Sequence, residues 1–325
     1  MAQSVIVTGG NRGIGFACAH AILSANRGWS VVLAARDPAA IAEAAARLKG
    51  ETGGDAVGLS LDLGSQASIR AFAAEVRSHP DLPPLRGLIC NAGVQSLDPS
   101  SRTADGFETA FGVNHLGHFL LVRLLLGALR PPARVIVVSS GTHDPKGDGR
   151  LHPPAWRDPV HLAFPEEDPG RPLGGMQRYA TSKLANLMFA YELSRRLRGT
   201  DITVNAYDPG PVPETGLIRQ WPAPLKAMVR QTRLMRVFGI ETATADIAGA
   251  RLARLLLDPA LAGVTGAYFA GSRLSRSSDD SYDADKARDL WIKSSDLTGL
   301  APDGDGIAPS VLNPEAKETR HAPAS

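Results

Sequence analysis

Short apolar runs recur along the chain, each followed by a turn and then by a stretch with helical spacing. SVIVTG ends in glycine and reads as a buried strand, with a helix predicted from about Gly13 to Asn26. SVVLAAR is a second strand. Asp37 and Pro38 then supply an N-cap acid and a proline at the first helical position, so a helix is expected to about Lys49. AVGLSLDL predicts a third strand, with a helix beginning near Ser65. GLICNAG is the fourth strand, before a long helix expected from about Asp105 to Leu129; RVIVVSS is the fifth, ITVNAY the sixth, and a helix from about Gln177 to Leu197 separates those two. Strands this apolar, alternating with helices, predict the α/β class with a doubly wound parallel sheet covered on both faces.

Three stretches break the rhythm. Asp144 to Gly175 holds seven prolines and five glycines without a clear period, and loops of that length are usually functional or disordered. Pro211 to Gly239 is apolar, basic and helical in parts. After Leu300 the chain becomes rich in proline, alanine and charge, so residues 301–325 are expected to form a disordered tail; an apolar helix pattern at about Asp283–Leu297 precedes it. One domain over residues 1–300 is expected, with segments 144–175 and 211–239 walling a substrate pocket.

Composition narrows the function classes. The net charge is only +2 with the two signs mixed, which gives no reason to expect a nucleic-acid partner. Cys18 and Cys90 match no metal spacing and read as buried free thiols in a reducing compartment. No charged-then-apolar leader opens the chain, and no apolar run is expected to approach the roughly 20 residues of a spanning helix, so a cytoplasmic protein is expected.

Thr8-Gly9-Gly10-Asn11-Arg12-Gly13-Ile14-Gly15 follows the first strand and opens the first helix. There the chain must turn sharply and bare backbone can approach a pyrophosphate at a helix N-terminus. The glycines at 9, 13 and 15 are spaced G-x-x-x-G-x-G, which resembles the short-chain dehydrogenase/reductase family with its Rossmann fold. In that family the residue ending the second strand selects the cofactor. Here it is Arg36, with Arg12 in the glycine loop; two guanidinium groups suit a ribose 2′-phosphate, so NADP(H) is expected. Asp37 could instead reach a ribose hydroxyl, which keeps NAD(H) as the alternative. The resemblance also implies cofactor contacts from Asp62 and Leu63, from Asn91-Ala92-Gly93, from Pro209, Gly210 and Val212, and from Thr215 at the nicotinamide carboxamide.

Tyr179 and Lys183 lie four apart on a predicted helix and so share a face. With Ser140 after the fifth strand and Asn114 in VNHLGHF, they match the family's catalytic tetrad; Ser139 reads as a structural neighbour. A free phenol has a pKa near 10. The Lys183 ammonium and an oxidised nicotinamide are expected to lower that value for Tyr179. In reduction Tyr179 would give up its proton, Ser140 would hold the substrate oxygen, Lys183 would hold the ribose hydroxyls, and Asn114 would anchor a water. His115 and His118 read as helix-packing residues. His143, His152 and His161 are too irregularly spaced for a metal, and none is proposed.

A narrower resemblance is visible. TADGFETAFGVNHLGHFLLVRLLL and YATSKLANLMFAYELSRRL are similar to both the retinol-dehydrogenase-like and the light-dependent protochlorophyllide oxidoreductase branches. PETGLIR and SYDADKARDLWIKSSDLTGL point more to the second. That branch carries a cysteine directly after the Pro-Gly of the sixth strand, where this chain has Pro211, so a different substrate and dark turnover are expected. Between Gly216 and Ile240 stand Arg219, Lys226, Arg230, Arg233 and Arg236 with no acid. Either an amphipathic lid with a solvated basic face, or a carboxylated apolar substrate or membrane surface, would account for them. The expected reaction is hydride and proton transfer to or from a bulky apolar carbonyl/alcohol or activated double bond. The alternatives are light-driven reduction and a non-catalytic NADP(H)-binding protein; assembly is left open.

Overall fold

The computed structural model describes residues 2–25, 28–213 and 242–302. The first half is a regular alternation: β1 (Gln3–Thr8), α1 (Gly13–Ala25), β2 (Trp29–Ala35), α2 (Pro38–Thr52), β3 (Asp55–Ser60), α3 (Gln66–Ser78) and β4 (Leu85–Cys90). Asp37 caps α2 as its spacing predicts, accepting from the Ala39 and Ala40 amides, and Gly53 ends the helix at φ 64°. The helix after β4 differs from its expected outline. Gly106 turns the chain at φ 85°, an isolated bridge pairs Arg102 with Glu108, and helical structure begins only at α4 (Thr109–Phe111). A π-helical segment at Gly112–Leu116 follows, then α5 (Gly117–Leu125) and a 3₁₀ turn at Leu126–Ala128.

β5 (Ala133–Val138), the short α6 (Pro159–Ala163), α7 (Gly175–Arg196) and β6 (Ile202–Asp208) complete the parallel part. The 144–175 stretch thus carries α6 and short 3₁₀ turns at Asp148–Leu151 and Pro165–Glu167, structure that its irregular composition concealed. Three further elements went unpredicted: α8 (Ala245–Leu257), β7 (Tyr268–Ala270) and β8 (Arg273–Ser275). The last, α9 (Ala284–Leu297), lies where its apolar pattern places it.

The described strands form one sheet in the order β3-β2-β1-β4-β5-β6-β7-β8, parallel except for the final antiparallel pair. Chain direction across the sheet reverses between β1 and β4, so the carboxyl ends of those strands flank the crevice where such sheets hold ligands. Each face has its own core. α1, α2 and α8 cover Val5, Val7, Val31 and Leu33 on one side; α3, α5 and α7 cover Ile6, Val32, Leu88 and Val135 on the other. One expectation is corrected here: Thr109–Ala128 is long and apolar enough to span a membrane by length and composition. It is 83% buried within the fold, where α5 and its neighbours pack on the sheet, so its apolarity is that of a core helix.

Candidate functional site

β1 delivers the chain to the crevice at Thr8, and Gly9 turns it at φ 64° while its amide donates to the Ala34 carbonyl (2.7 Å). Close approach explains the glycines. A Cβ on Gly9 would lie 3.1 Å from Ala92 Cα, and one on Gly15 would strike the Gly9 carbonyl oxygen. Gly13, at φ 57°, faces open space, with nothing within 4 Å of its Cβ position. The open cradle lies at the start of α1, whose first turn holds no acid. Unpaired amides and the positive dipole end there suit a pyrophosphate, so these residues fit a dinucleotide. Asn11 and Ile14 are half-buried in the turn, and Arg12 and Arg36 are exposed at its rim. Asp37 Oδ1 accepts from two α2 amides at 3.0 and 3.2 Å, which commits that oxygen to the cap.

The other expected contacts converge on the same crevice. Asn91 donates from Nδ2 to the Thr8 carbonyl (2.8 Å), and the Asn91 and Ala92 amides both donate to Thr8 Oγ1 (2.9 and 3.0 Å). Asp62 Oδ1 accepts from the Gly64 amide (2.9 Å), and Leu63 is buried beside it. Gly210, at φ 70°, donates to Asp208 Oδ1, and Val212 packs in a small apolar cluster against Ile14. Pro209 precedes that turn. Thr215, the basic set from Arg219 to Arg236 and the tail from residue 303 lie outside the described residues.

Asn114, Ser140, Tyr179 and Lys183 come together at the carboxyl end of β5. Asn114 sits in the π-helical segment with no exposed surface. Its Oδ1 accepts from the Val94 amide, and its Nδ2 donates to the Val94 carbonyl and to Ser182 Oγ, at 2.8–2.9 Å. Ser140, in extended backbone, accepts at Oγ from the Thr142 amide (3.3 Å) and hydroxyl (3.1 Å), and its side chain acts on the ionisation of the Tyr179 phenol. Ser139 donates instead to the Lys183 carbonyl (2.8 Å), holding α7 to the strand. Lys183 Nζ donates to the Val138 carbonyl (3.1 Å) and lies 5.7 Å from the Tyr179 ring centre. The Cβ position of Gly93 is 3.5 Å from both Lys183 Nζ and Asn114 Oδ1, so the end of β4 completes the floor.

Burial sets the electrostatics. It lowers the Lys183 pKa to about 8, against the opposing Asp208 carboxylate. For Tyr179 burial raises the pKa, the Ser140 side chain offsets part of that rise and Asp208 adds to it; the expected lowering involves the oxidised nicotinamide as well as Lys183. Burial and Asp208 thus favour the neutral phenol over the phenolate.

Some participants were not singled out from the sequence. Asp208, buried at the end of β6, accepts from the Tyr268 hydroxyl (3.0 Å). Asn186, one helical turn after Lys183, donates to the same Val138 carbonyl (3.3 Å); the KLAN run was its only signal. His118 does more than pack. It bonds both Thr8 Oγ1 (2.9 Å) and the Asn114 carbonyl (3.0 Å), joining the glycine turn to the tetrad. His115 bonds Ser294 Oγ (2.8 Å), and His143 bonds the Ser140 carbonyl (2.7 Å). Both cysteines are fully buried, with thiols pushed well above their usual range, so neither can supply an acid beside Pro211.

Comparison with known proteins agrees with this geometry. The short chain dehydrogenase family model matches residues 3–149. Retinol dehydrogenase 13 of Homo sapiens is 37% identical over 313 residues, covering 95% of this chain and 86% of that one. Retinol dehydrogenase 14 of Mus musculus is 36% identical, covering 92% and 86%. Among solved structures, an uncharacterized protein from Mycobacterium paratuberculosis superposes with a TM-score of 0.66 at 30% identity, covering 92% and 94%. These relatives favour the retinol-dehydrogenase-like side of the resemblance over the protochlorophyllide side suggested by the two C-terminal segments. With likeness of this extent running through the glycine turn and all four candidate catalytic positions, the chain belongs to the short-chain dehydrogenase/reductase family of NAD(P)(H)-dependent oxidoreductases, in its retinol-dehydrogenase-like branch.

Proposed function

We propose that this protein interconverts a bulky apolar aldehyde or ketone, of retinoid-like size and polarity, with its alcohol, using NADP(H). The observation that carries the reading is the buried Tyr179 phenol beside Lys183, with the Ser140 side chain acting on the same phenol. This arrangement presents two hydroxyls to one substrate oxygen, which favours a carbonyl/alcohol pair over a carbon–carbon double bond. The apolar, extended substrate class is supported by the likeness to retinol dehydrogenases over most of the chain.

Gly9, Asn11, Gly13, Ile14 and Gly15 would hold the pyrophosphate, Asp62 and Leu63 the adenine side, and Asn91 to Gly93 with Pro209, Gly210 and Val212 the nicotinamide half. Arg12 and Arg36 would flank a 2′-phosphate. The capping role of Asp37 supports that preference, because one of its oxygens already accepts two amides. When bound, the cofactor supplies or receives the hydride. Ser140 donates to the substrate oxygen and so polarises the carbonyl. Tyr179 passes its proton to that oxygen as negative charge develops. Lys183, anchored by Val138, holds positive charge beneath the resulting phenolate, and Asn114 fixes Val94 and Ser182 around it. The proposal keeps the cytoplasmic setting, with which two unpaired, buried cysteines are compatible.

Oxidation of NADPH and of NADH is measured with all-trans-retinal, apolar ketones, enones and a chlorophyll precursor, in darkness and in light. The reading expects dark turnover of the aldehyde with NADPH preferred. Turnover only under illumination would replace it with the photochemical reading. Tyr179→Phe should lose roughly 10²–10⁴-fold in kcat while its NADPH affinity holds; unchanged turnover would refute the assigned chemistry.

A further inference from the structure

Arg178 precedes the candidate acid Tyr179, yet its side chain is only 7% exposed and belongs to none of the chemistry above. Its Nε donates to Glu108 Oε1 (3.0 Å), an ion pair whose other side chain is 3% exposed. The remaining nitrogens reach main-chain carbonyls: Nη1 donates to Leu173 (2.8 Å), and Nη2 to Asp98 (3.1 Å) and Ser96 (3.4 Å). Glu108 is committed in turn. Its Oε2 accepts from the Phe111 amide (2.7 Å), and its own amide donates to the Ala163 carbonyl (2.8 Å). One buried pair thus joins the segment after β4, the start of α4, the stretch before α7 and α7 itself.

The segment it holds leaves the catalytic crevice at Gly93, beside Lys183 Nζ, and runs along the first turn of α7. Val94 is gripped by Asn114, Gln95 donates to the Met176 thioether, and a Cβ on Gly175 would lie 2.7 Å from the Ser96 carbonyl oxygen. Gly175 is four residues before Tyr179, about 6 Å along the helix axis. On the carbonyl-reductase reading, a short carbonyl held at Ser140 and Tyr179 would stop short of this segment, whereas a long apolar body leaving the crevice past Gly93 would run along it. Only a planar fork reaches a carboxylate and three carbonyls at once, so lysine cannot substitute.

We infer that Arg178 is a specificity-determining positioning residue, which pins the Val94–Asp98 segment to the helix carrying Tyr179 and so fixes the pocket wall for long apolar substrates. The inference rests on the carbonyl-reductase reading above. In Arg178→Met, KM for all-trans-retinal should rise about tenfold or more, with kcat within about twofold of wild type. For butanal, kcat/KM should stay within about twofold, and NADPH affinity should not change. Arg178→Lys should raise the retinal KM as well, although it keeps a charge opposite Glu108. Because leaving Glu108 buried without a partner can unfold the protein, the double variant Glu108→Gln, Arg178→Met repeats the test without a stranded charge. Equal losses for both aldehydes, or no loss for either, would overturn the inference. Hydrogen exchange reads the pinning without any substrate: amides of 94–98 should exchange about tenfold faster or more in Arg178→Met, with β1 and β4 unchanged. Unaltered exchange there would also overturn it. If wild type reduces neither aldehyde, the functional reading fails separately and exchange still decides whether Arg178 pins the wall.

Discussion

His118 shows how one side chain ties cofactor geometry to catalytic geometry. Its Nδ1 faces the Asn114 carbonyl, which can only accept, so Nδ1 carries the proton. Burial, reinforced by the Lys183 charge, lowers its pKa to about 4 and keeps the ring neutral. Nε2 must then accept from the Thr8 hydroxyl, whose oxygen in turn accepts from the Asn91 and Ala92 amides. Replacing His118 with Phe leaves the Thr8 hydroxyl only its longer bond to the Ile89 carbonyl (3.3 Å) and removes the imidazole donor at the Asn114 carbonyl. A loss of about 1–3 kcal/mol is expected in urea unfolding, together with weaker NADPH binding and lower kcat. Simple packing would predict the stability loss with an unchanged NADPH titration. Asp208 acts at the same scale through its charge, which raises both Tyr179 and Lys183. Asp208→Asn keeps an acceptor for Tyr268 and removes that charge, so phenolate forms more readily. The ionisation seen in kcat/KM for alcohol oxidation should move to lower pH; an unmoved profile would show that the Asp208 charge does not reach the site.

Between elements, two contacts account for much of the packing that local pattern does not announce. α8 lies against α1 with Gly249 at the crossing, where a Cβ would come 2.6 Å from Ala17 Cβ and from the Cys18 amide nitrogen. Gly249→Val must push the helices apart beneath the glycine turn, and a lowered Tm with weakened NADPH binding is expected. α9 is held by Trp291, fully buried with the guanidiniums of Arg123 (4.7 Å) and Arg196 (4.3 Å) against its ring and its indole N–H donating to the Pro302 carbonyl. Trp291→Ala should cost about 3–5 kcal/mol, read as a lower midpoint in chemical denaturation. The strongly periodic elements, the glycine turn and the Tyr179–Lys183 pair were legible because each is a local pattern with its own spacing, whereas Asn114 and Ser140 came only through the family resemblance. β7 and β8, three residues each, are too short to show alternation. α8 does carry a legible apolar face, with Ala248, Leu252, Leu255 and Leu256 buried at helical spacing, so its signal was present in the sequence. The Arg178–Glu108 pair and the His118–Thr8 bond join residues 70 and 110 apart, and no spacing rule covers such distances. The long helix after β4 was misread at its start because Gly106 and the Arg102–Glu108 bridge interrupt an otherwise apolar run.

Across the whole molecule, buried histidines link segments that the sheet does not. His118 joins β1 to the π-helical segment, His115 joins that segment to α9 through Ser294, and His143 bridges the Ser140 carbonyl and the Ser278 amide. Burial lowers all three pKa values, that of His115 to about 3, where neighbouring His118 adds to the fall, and that of His118 to about 4. The unfolded chain therefore binds protons that the folded chain refuses. Stability from these rings is complete above the unfolded histidine value near 6.5 and is lost as pH falls through that value toward the folded ones. The carboxylates held low by partners, such as Asp158, Asp258 and Asp283, act only below about pH 4. Asp148 is raised by burial and by Asp208, so its contribution has the opposite sign. Between about pH 6.5 and 4.5 the histidines consequently dominate, His115 and His118 each contributing up to about 1.4 kcal/mol per pH unit. Urea midpoints at pH 7.5, 6.5, 5.5 and 4.5 should fall ever more steeply below the second point. His115→Leu removes one of these titrations, and its midpoints should fall less steeply over the same range even if it starts from a lower stability. Parallel curves for the two proteins would mean that His115 accepts its proton without leaving the core.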